Sequence, residues 1–253
     1  MNNFNEKNIL DSFISVPPTK KYLYETHCHC SVTSKCSLLS PADIVNLYVK
    51  NGYSGVIVTD HFLNGNCITE IRSEPDYKKQ IEMFCEGYKQ VKVAADGKLD
   101  VFFGLEASYK GTDVLVYGWN ENDLKSIPEI MNMSMKDFIL FANENAALTI
   151  QAHPFREASY IDHIRLFPNT QGVEIYNAAR NDLSNALAYV YYRLYDNAYG
   201  KIRTAGSDAH ALVHKYLSGM AFDSKISSIS DFIERIKKKE GEIFRIENAL
   251  LKQ

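Results

Sequence analysis

Short apolar runs recur along the chain, and several close on a histidine or a carboxylate. Between them lie amphipathic stretches with a helical period. Residues 21–27, KYLYETH, alternate as a strand does. Ser40-Pro41 followed by Asp43 predicts a helix start, with Ser as N-cap and Pro in the first turn. Ile44, Leu47 and Tyr48 give that helix its apolar stripe, and Asn51-Gly52 ends it. Within 55–61, Val56-Ile57-Val58 is continuously apolar, as expected of a strand buried on both faces in a parallel sheet. Further strands are predicted at 99–109, 113–119, 148–150, 172–178, 202–205, 219–222 and 243–246, the second reached across Lys110-Gly111. Helices are predicted at 77–95, 135–147, 182–195 and 230–239, the last with a basic end that suits its dipole.

This alternation is that of βα units and predicts one α/β domain, a barrel, with residues 1–20 as a loose lead-in ending at Pro17-Pro18. An open doubly wound sheet is the alternative, and no glycine-rich phosphate loop favours it. Both topologies place their chemistry at the carboxyl ends of the strands. A length of 253 residues is enough for one large core. With 45% hydrophobic and 23% charged residues, the composition is that of a globular chain.

A net charge of −3 argues against a nucleic-acid partner held by a basic surface, but leaves room for a small phosphorylated substrate. The polar, Asn-rich residues 1–10 do not read as a signal peptide. No apolar run approaches the roughly 20 residues of a membrane span. The five cysteines, Cys28, Cys30, Cys36, Cys67 and Cys85, are expected as reduced thiols in a cytoplasmic protein. Oligomeric state is not legible in the sequence.

The histidines carry the chemistry. Of seven, His27, His29, His61, His153 and His210 fall at predicted strand ends. His27 and His29 share one face of an extended chain. The same rim receives Asp60, Glu106 and Asp208. Imidazoles interspersed with carboxylates suit divalent Zn, Mn or Fe. Glu106 is the candidate bridge between two cations, which roughly 3.5–4 Å apart clamp a phosphate and lower the pKa of a water.

His163 and His214 read as surface or loop histidines, and Cys28 and Cys30 as packing residues. A structural zinc knot formed by HCHC with Cys36 is an alternative that leaves the distant rim residues unexplained. Lys35, Arg156 and Arg180 are candidate contacts for a substrate phosphate. Glu174 is a candidate for orienting a neighbour and Asn177 for binding substrate.

HCH, VTDH, GLE, AHP and SDAH, in that order from residue 26 to 210, resemble the PHP (polymerase and histidinol phosphatase) family. The resemblance implies a distorted (β/α)7 barrel over residues 1–253 with a centre of two or three metal ions. It implies hydrolysis of phosphate esters by a metal-bound hydroxide, as a phosphatase or a phosphodiesterase. His27, His29 and Asp208 would hold the first metal, and Glu106 would bridge first and second. His153 would bind the second, and His61 and His210 a third.

In that scheme Asp60, His61 and His210 are the candidate catalytic residues, Asp60 by orienting His61. Histidinol-phosphate phosphatase, a non-catalytic metal-binding module and another metal hydrolase such as an amidohydrolase are the competing readings. Two positions depart from the family pattern. Lys35 and Cys36 stand where an Asp or His often follows the HxH pair, and only Asp113 stands where a His often follows the Glu motif. Either Lys35 supplies missing positive charge or Cys36 is itself a ligand.

Overall fold

The computed structural model describes residues 5–252. In chain order the elements are α1 (Glu6–Asp11), β1 (Tyr22–Cys28), α2 (Pro41–Lys50), β2 (Tyr53–Val58), α3 (Thr69–Ser73), α4 (Tyr77–Phe84), α5 (Glu86–Ala95), β3 (Asp100–Tyr109) and β4 (Thr112–Tyr117). There follow α6 (Glu121–Ser126), α7 (Met135–Glu144), β5 (Leu148–Ala152), β6 (Gly172–Asn177), α8 (Asp182–Tyr199), β7 (Ile202–Gly206), β8 (Tyr216–Phe222), α9 (Ile229–Lys237) and β9 (Glu242–Glu247). Single 3-10 turns lie at Pro128–Asn132 and Ala249–Lys252. Among the described residues no helix is long and apolar enough to cross a membrane.

Among the described residues nine strands form one nearly closed, barrel-like sheet in the order β7-β6-β5-β4-β3-β2-β1-β8-β9. This corrects the (β/α)7 expectation. β1, β2 and β3 are mutually parallel, as are β5, β6 and β7, but β4 is antiparallel to both neighbours. The cause is the connection Lys110-Gly111, with φ of 51° and 79°: two residues make a tight hairpin and cannot make a parallel crossover.

β8 and β9 are also antiparallel additions, β8 pairing only with Tyr22–Tyr24 of β1. The upper end of β1 instead meets the chain leaving β7. Asp208 N–H donates to His27 O at 3.0 Å, and Thr26 Oγ1 donates to Ala205 O at 2.7 Å. That contact brings the two ends of the seven-strand arc together.

Most strands are buried on both faces, which is why they read as continuous apolar runs. At the base Tyr24, Tyr117, Phe222 and Phe232 pack together as one aromatic plug. The capping box of α2 forms as expected, Ser40 and Asp43 exchanging hydrogen bonds.

Two other expectations are corrected. The helix expected over 77–95 breaks at Cys85 because Thr33 Oγ1 enters its hydrogen-bond ladder, donating to Phe84 O at 3.1 Å and accepting from Gly87 N–H at 3.2 Å. Gly87 permits that approach, since a Cβ there would lie 2.5 Å from both Thr33 Oγ1 and Asp60 Oδ2. The lead-in is not loose throughout. α1 is capped by Asn5 and buries Leu10, and Phe13 stacks on Tyr189 at 4.4 Å. Residues 1–4 of the lead-in lie outside the described residues.

Candidate metal centre

The parallel strands deliver their carboxyl ends to one rim. His27 is in β1 with His29 just past its end, His61 follows β2, Glu106 is in β3, His153 follows β5, and Asp208 and His210 follow β7. β4 runs the other way, so its beginning is at this rim and carries Asp113 there. All seven predicted metal residues therefore converge, with Asp113 added.

Glu106 is the hub. Its Oε1 stands 3.2 Å from His27 Nε2 and 3.3 Å from His153 Nε2; its Oε2 stands 3.3 Å from His29 Nε2 and 2.8 Å from His61 Nδ1. Asp208 Oδ1 lies 3.3 Å from His29 Nε2 and 3.6 Å from His27 Nε2. His27, His29, Glu106, His153 and Asp208 are all buried. His153 and Asp208 adopt φ of 25° and 51°, a backbone region that non-glycine residues rarely enter and that recurs at functional sites.

These contacts are close without being hydrogen bonds. Both oxygens of Glu106, Asp113 Oδ2 and His61 Nδ1 are buried without a hydrogen-bond partner. A buried carboxylate with no donor is costly. Two ligand atoms each about 2.1 Å from a common ion stand about 3.0–3.4 Å apart, the spacing of His27, His29 and His153 from Glu106.

The opposite ring nitrogens are already engaged. His27 Nδ1 meets Glu174 Oε1 at 2.9 Å, His210 Nδ1 meets the Asp208 carbonyl at 2.8 Å, and His29 Nδ1 meets Ser34 Oγ at 3.3 Å. With acceptors at Nδ1, each Nε2 keeps a lone pair for a cation. The donor set fits divalent metal. Ligand-capable groups overlap as His27–His29–Glu106, His27–His153–Asp208, Glu106–Asp113–His153 and His29–His61–His210.

Carboxylates and imidazoles of the centre perturb one another's proton affinity. Burial opposes the charge of Glu106, but His27 and His61 outweigh it and hold the carboxyl well below its usual range. Asp208 is held low against burial by His27, His29 and Arg180. Burial likewise opposes His61, yet Glu106 and Cys36 push it up to about 11. The Cys36 thiol, against burial, is pushed down to about 5 by contact with His210 and His61.

A cavity of about 700 Å³ opens above the centre, lined by Cys36, His61, His210 and Asp113 on its floor and by Arg156 and Arg180 at its side. Arg180 donates to Asp208 Oδ2 at 2.7 Å; Arg156 donates to Tyr160 OH at 2.8 Å and stands 3.4 Å from Asp113 Oδ2. Lys35 is exposed and does not line this cavity, whereas Lys110, at the tip of the β3–β4 hairpin, does.

Asp60 is buried beneath the loop after β1 and does not touch the His61 ring. Its Oδ1 accepts from Cys30 N–H at 2.6 Å and Ser34 Oγ at 2.7 Å, and Ser34 Oγ accepts from His61 N–H at 3.0 Å. Asp60 thus acts on His61 through Ser34. The Ser34 hydroxyl spends its proton on Asp60, so its lone pairs face His29 and His61.

Glu174 orients His27 and accepts Asn177 Nδ2 at 2.9 Å; Asn177 is buried below the rim. His163 is exposed. His214 is on a loop but lines the cavity and accepts His210 N–H at 3.1 Å. Cys28 and Cys30 pack in the core. Sequence reasoning missed Ser34 and Lys110. The two-residue turn was the available signal for Lys110; Ser34 had none.

No protein-family model and no curated protein matches the chain. Solved structures do resemble it. One is a two-domain protein from Bacteroides vulgatus containing a predicted PHP-like metal-dependent phosphoesterase, with a TM-score of 0.59 and 13% identity over 91% of this chain and 67% of that one. Another is PsfC from Pseudomonas syringae, with a TM-score of 0.54 and 16% identity over 90% of this chain and 92% of that one. At such identities the likeness is one of fold; this chain's own buried His/Asp/Glu cluster could hold metal.

Proposed function

We propose that the chain is a metal-dependent phosphoesterase acting on a small phosphorylated molecule. The observation that carries this reading is Glu106, whose two buried oxygens face four imidazoles and hydrogen-bond none of them. His27, His29, Glu106 and Asp208 would hold one ion, Glu106, Asp113 and His153 a second, and His61 and His210 a third. When bound, divalent ions supply positive charge for a phosphate and lower the pKa of water.

The chain's own groups bind and orient. Arg156 and Arg180 line the cavity, and their guanidinium groups are charged donors suited to a phosphoryl oxygen. Glu174 and Ser34 hold His27 and His29 in one ring orientation, and Asp60 secures Ser34. Lys110 and Tyr160 border the space left for the alcohol portion of the ester.

The test is turnover of p-nitrophenyl phosphate, bis(p-nitrophenyl) phosphate and a panel of phosphorylated metabolites with added Mn²⁺ or Zn²⁺. Hydrolysis that a chelator abolishes and metal restores is expected. Bound metal without cleavage of any phosphate ester, or cleavage of amides alone, contradicts the proposal.

A further inference from the structure

His27 reaches the rim through an irregular stretch of β1. Between the pairs Glu25–Val56 and Cys28–Val58, Thr26 and His27 stand opposite Ile57 alone, so β1 carries one residue more than β2. Such a bulge bends a strand and re-aims its side chains. The N–H groups of both bulged residues go to one acceptor. Glu25 Oε1 accepts Thr26 N–H at 2.9 Å and His27 N–H at 2.8 Å.

The same oxygen reaches across the barrel. β1 and β7 are not neighbours in the sheet order, yet Glu25 Oε1 also accepts Ser207 N–H at 2.9 Å. Ser207 directly precedes Asp208, whose backbone is left-handed. One oxygen of a fully buried side chain therefore holds the backbone of His27 and of the residue before Asp208. His27 Nε2 and Asp208 Oδ1 stand 3.6 Å apart, and both residues belong to the ligand-capable group His27–His153–Asp208. Gly206 makes room for this approach, since a Cβ there would lie 2.5 Å from His27 Cβ and 3.1 Å from Glu25 Oε1.

This seam is already closed by Thr26 Oγ1 on Ala205 O and by Asp208 N–H on His27 O. A buried carboxylate is a costly way to add one more tie. What Glu25 adds is a single acceptor shared by two ligand-bearing segments. Glu174 does something different: it meets the His27 ring at Nδ1 and accepts His153 N–H at 3.0 Å. Among the described residues Glu25 belongs to no ligand-capable group.

We propose that Glu25 is a positioning residue of the metal centre. By gathering the amides of Thr26, His27 and Ser207 on one oxygen, it sets the separation of His27 and Asp208 and so the affinity for the ion they share. The site is then shaped before metal arrives, by a side chain that is not itself a ligand. This rests on the metal-centre reading above.

The experiment uses the full chain and titrates Mn²⁺ or Zn²⁺ against a chelating dye. Glu25→Ala removes the shared acceptor and should weaken one ion per chain by about 10- to 100-fold. Glu25→Gln should restore that affinity, because its amide oxygen replaces Oε1, while Oε2 has no hydrogen-bond partner to lose. A residue that only stabilised the fold would lower the melting temperature and leave the metal affinity of the folded chain intact. Hydrogen exchange on the unmutated chain covers a variant that fails to fold: the amides of Thr26, His27 and Ser207 should stay protected after metal is chelated. Unchanged affinity in folded Glu25→Ala, no recovery in Glu25→Gln, or rapid exchange of those three amides overturns the assignment and leaves the phosphoesterase reading intact. A chain that binds no metal at all overturns both.

Discussion

At the base of the barrel, Tyr117 donates its hydroxyl to Thr26 O at 2.8 Å, and Tyr24 OH donates to Asp100 at 3.0 Å while accepting Ile226 N–H at 2.9 Å. Buried Lys201 is likewise satisfied, donating to the carbonyls of Pro168 and Thr170. At the rim, equally buried groups are not satisfied: both oxygens of Glu106, Asp113 Oδ2 and His61 Nδ1 have no hydrogen-bond partner. Orphaned polar atoms occur elsewhere too, at Glu25, Tyr48, Asp60, Tyr191 and Thr204, but none of these belongs to a group of side chains able to hold a metal. The base is built for stability, and its Tyr24, Tyr117 and Lys201 find their partners within the chain. The rim is built with donors that only something outside the chain can satisfy.

Four substitutions probe that division. Glu106→Gln should have the largest effect, because it removes the hub carboxylate: phosphatase activity falls by at least about 10³-fold and bound metal is lost, with the fold retained by circular dichroism. Normal metal content in this variant would erase the distinction between rim and base. Tyr117→Ala should do the opposite. Opening a cavity in the aromatic plug lowers stability to denaturant by about 3–5 kcal/mol, while the metal content of the folded protein stays unchanged.

Arg156→Ala should act on the cavity alone. Losing one charged donor to phosphate raises KM by about tenfold or more without altering metal content, as steady-state kinetics and metal analysis would read. A change in metal content instead would place Arg156 within the centre rather than beside it.

The smallest effect concerns Lys201 at the base. Burial pushes its ammonium down to about 8 from the ordinary 10.5. Between those values the unfolded chain binds more protons than the folded one, so stability should rise with pH across that window. Below about pH 8 the full penalty of burying the cation remains. Lys201→Met should flatten the slope in denaturant melts taken between about pH 8 and 10.5 and leave activity unchanged. An unchanged slope would show that another group titrates there.

Most strands were legible because burial on both faces writes itself as an uninterrupted apolar run, as in Val56-Ile57-Val58. The histidines that follow those runs do meet at one rim, since parallel strands share a direction. What periodicity does not record is direction itself. β4 looks like any other buried strand, and its reversal, which puts Asp113 rather than Tyr117 at the rim, is written only in the two-residue turn Lys110-Gly111.

The break in the helix at Cys85 is caused by Thr33, far away in sequence, and no local pattern foretells it. α1 is six residues long, too short for a period to show. Ser34 carries no motif; its role exists only through Asp60, His29 and His61. Lys35 read as near the site because it adjoins the loop, but the loop turns its neighbour Cys36 inward instead.

Anomalous diffraction from crystals of the metal-loaded protein reads the central claim most directly. The account predicts anomalous peaks flanking Glu106, between its two oxygens and the imidazoles of His27, His29, His61 and His153. A map with no peak there, and with Glu106 hydrogen-bonded to protonated imidazoles, would contradict it.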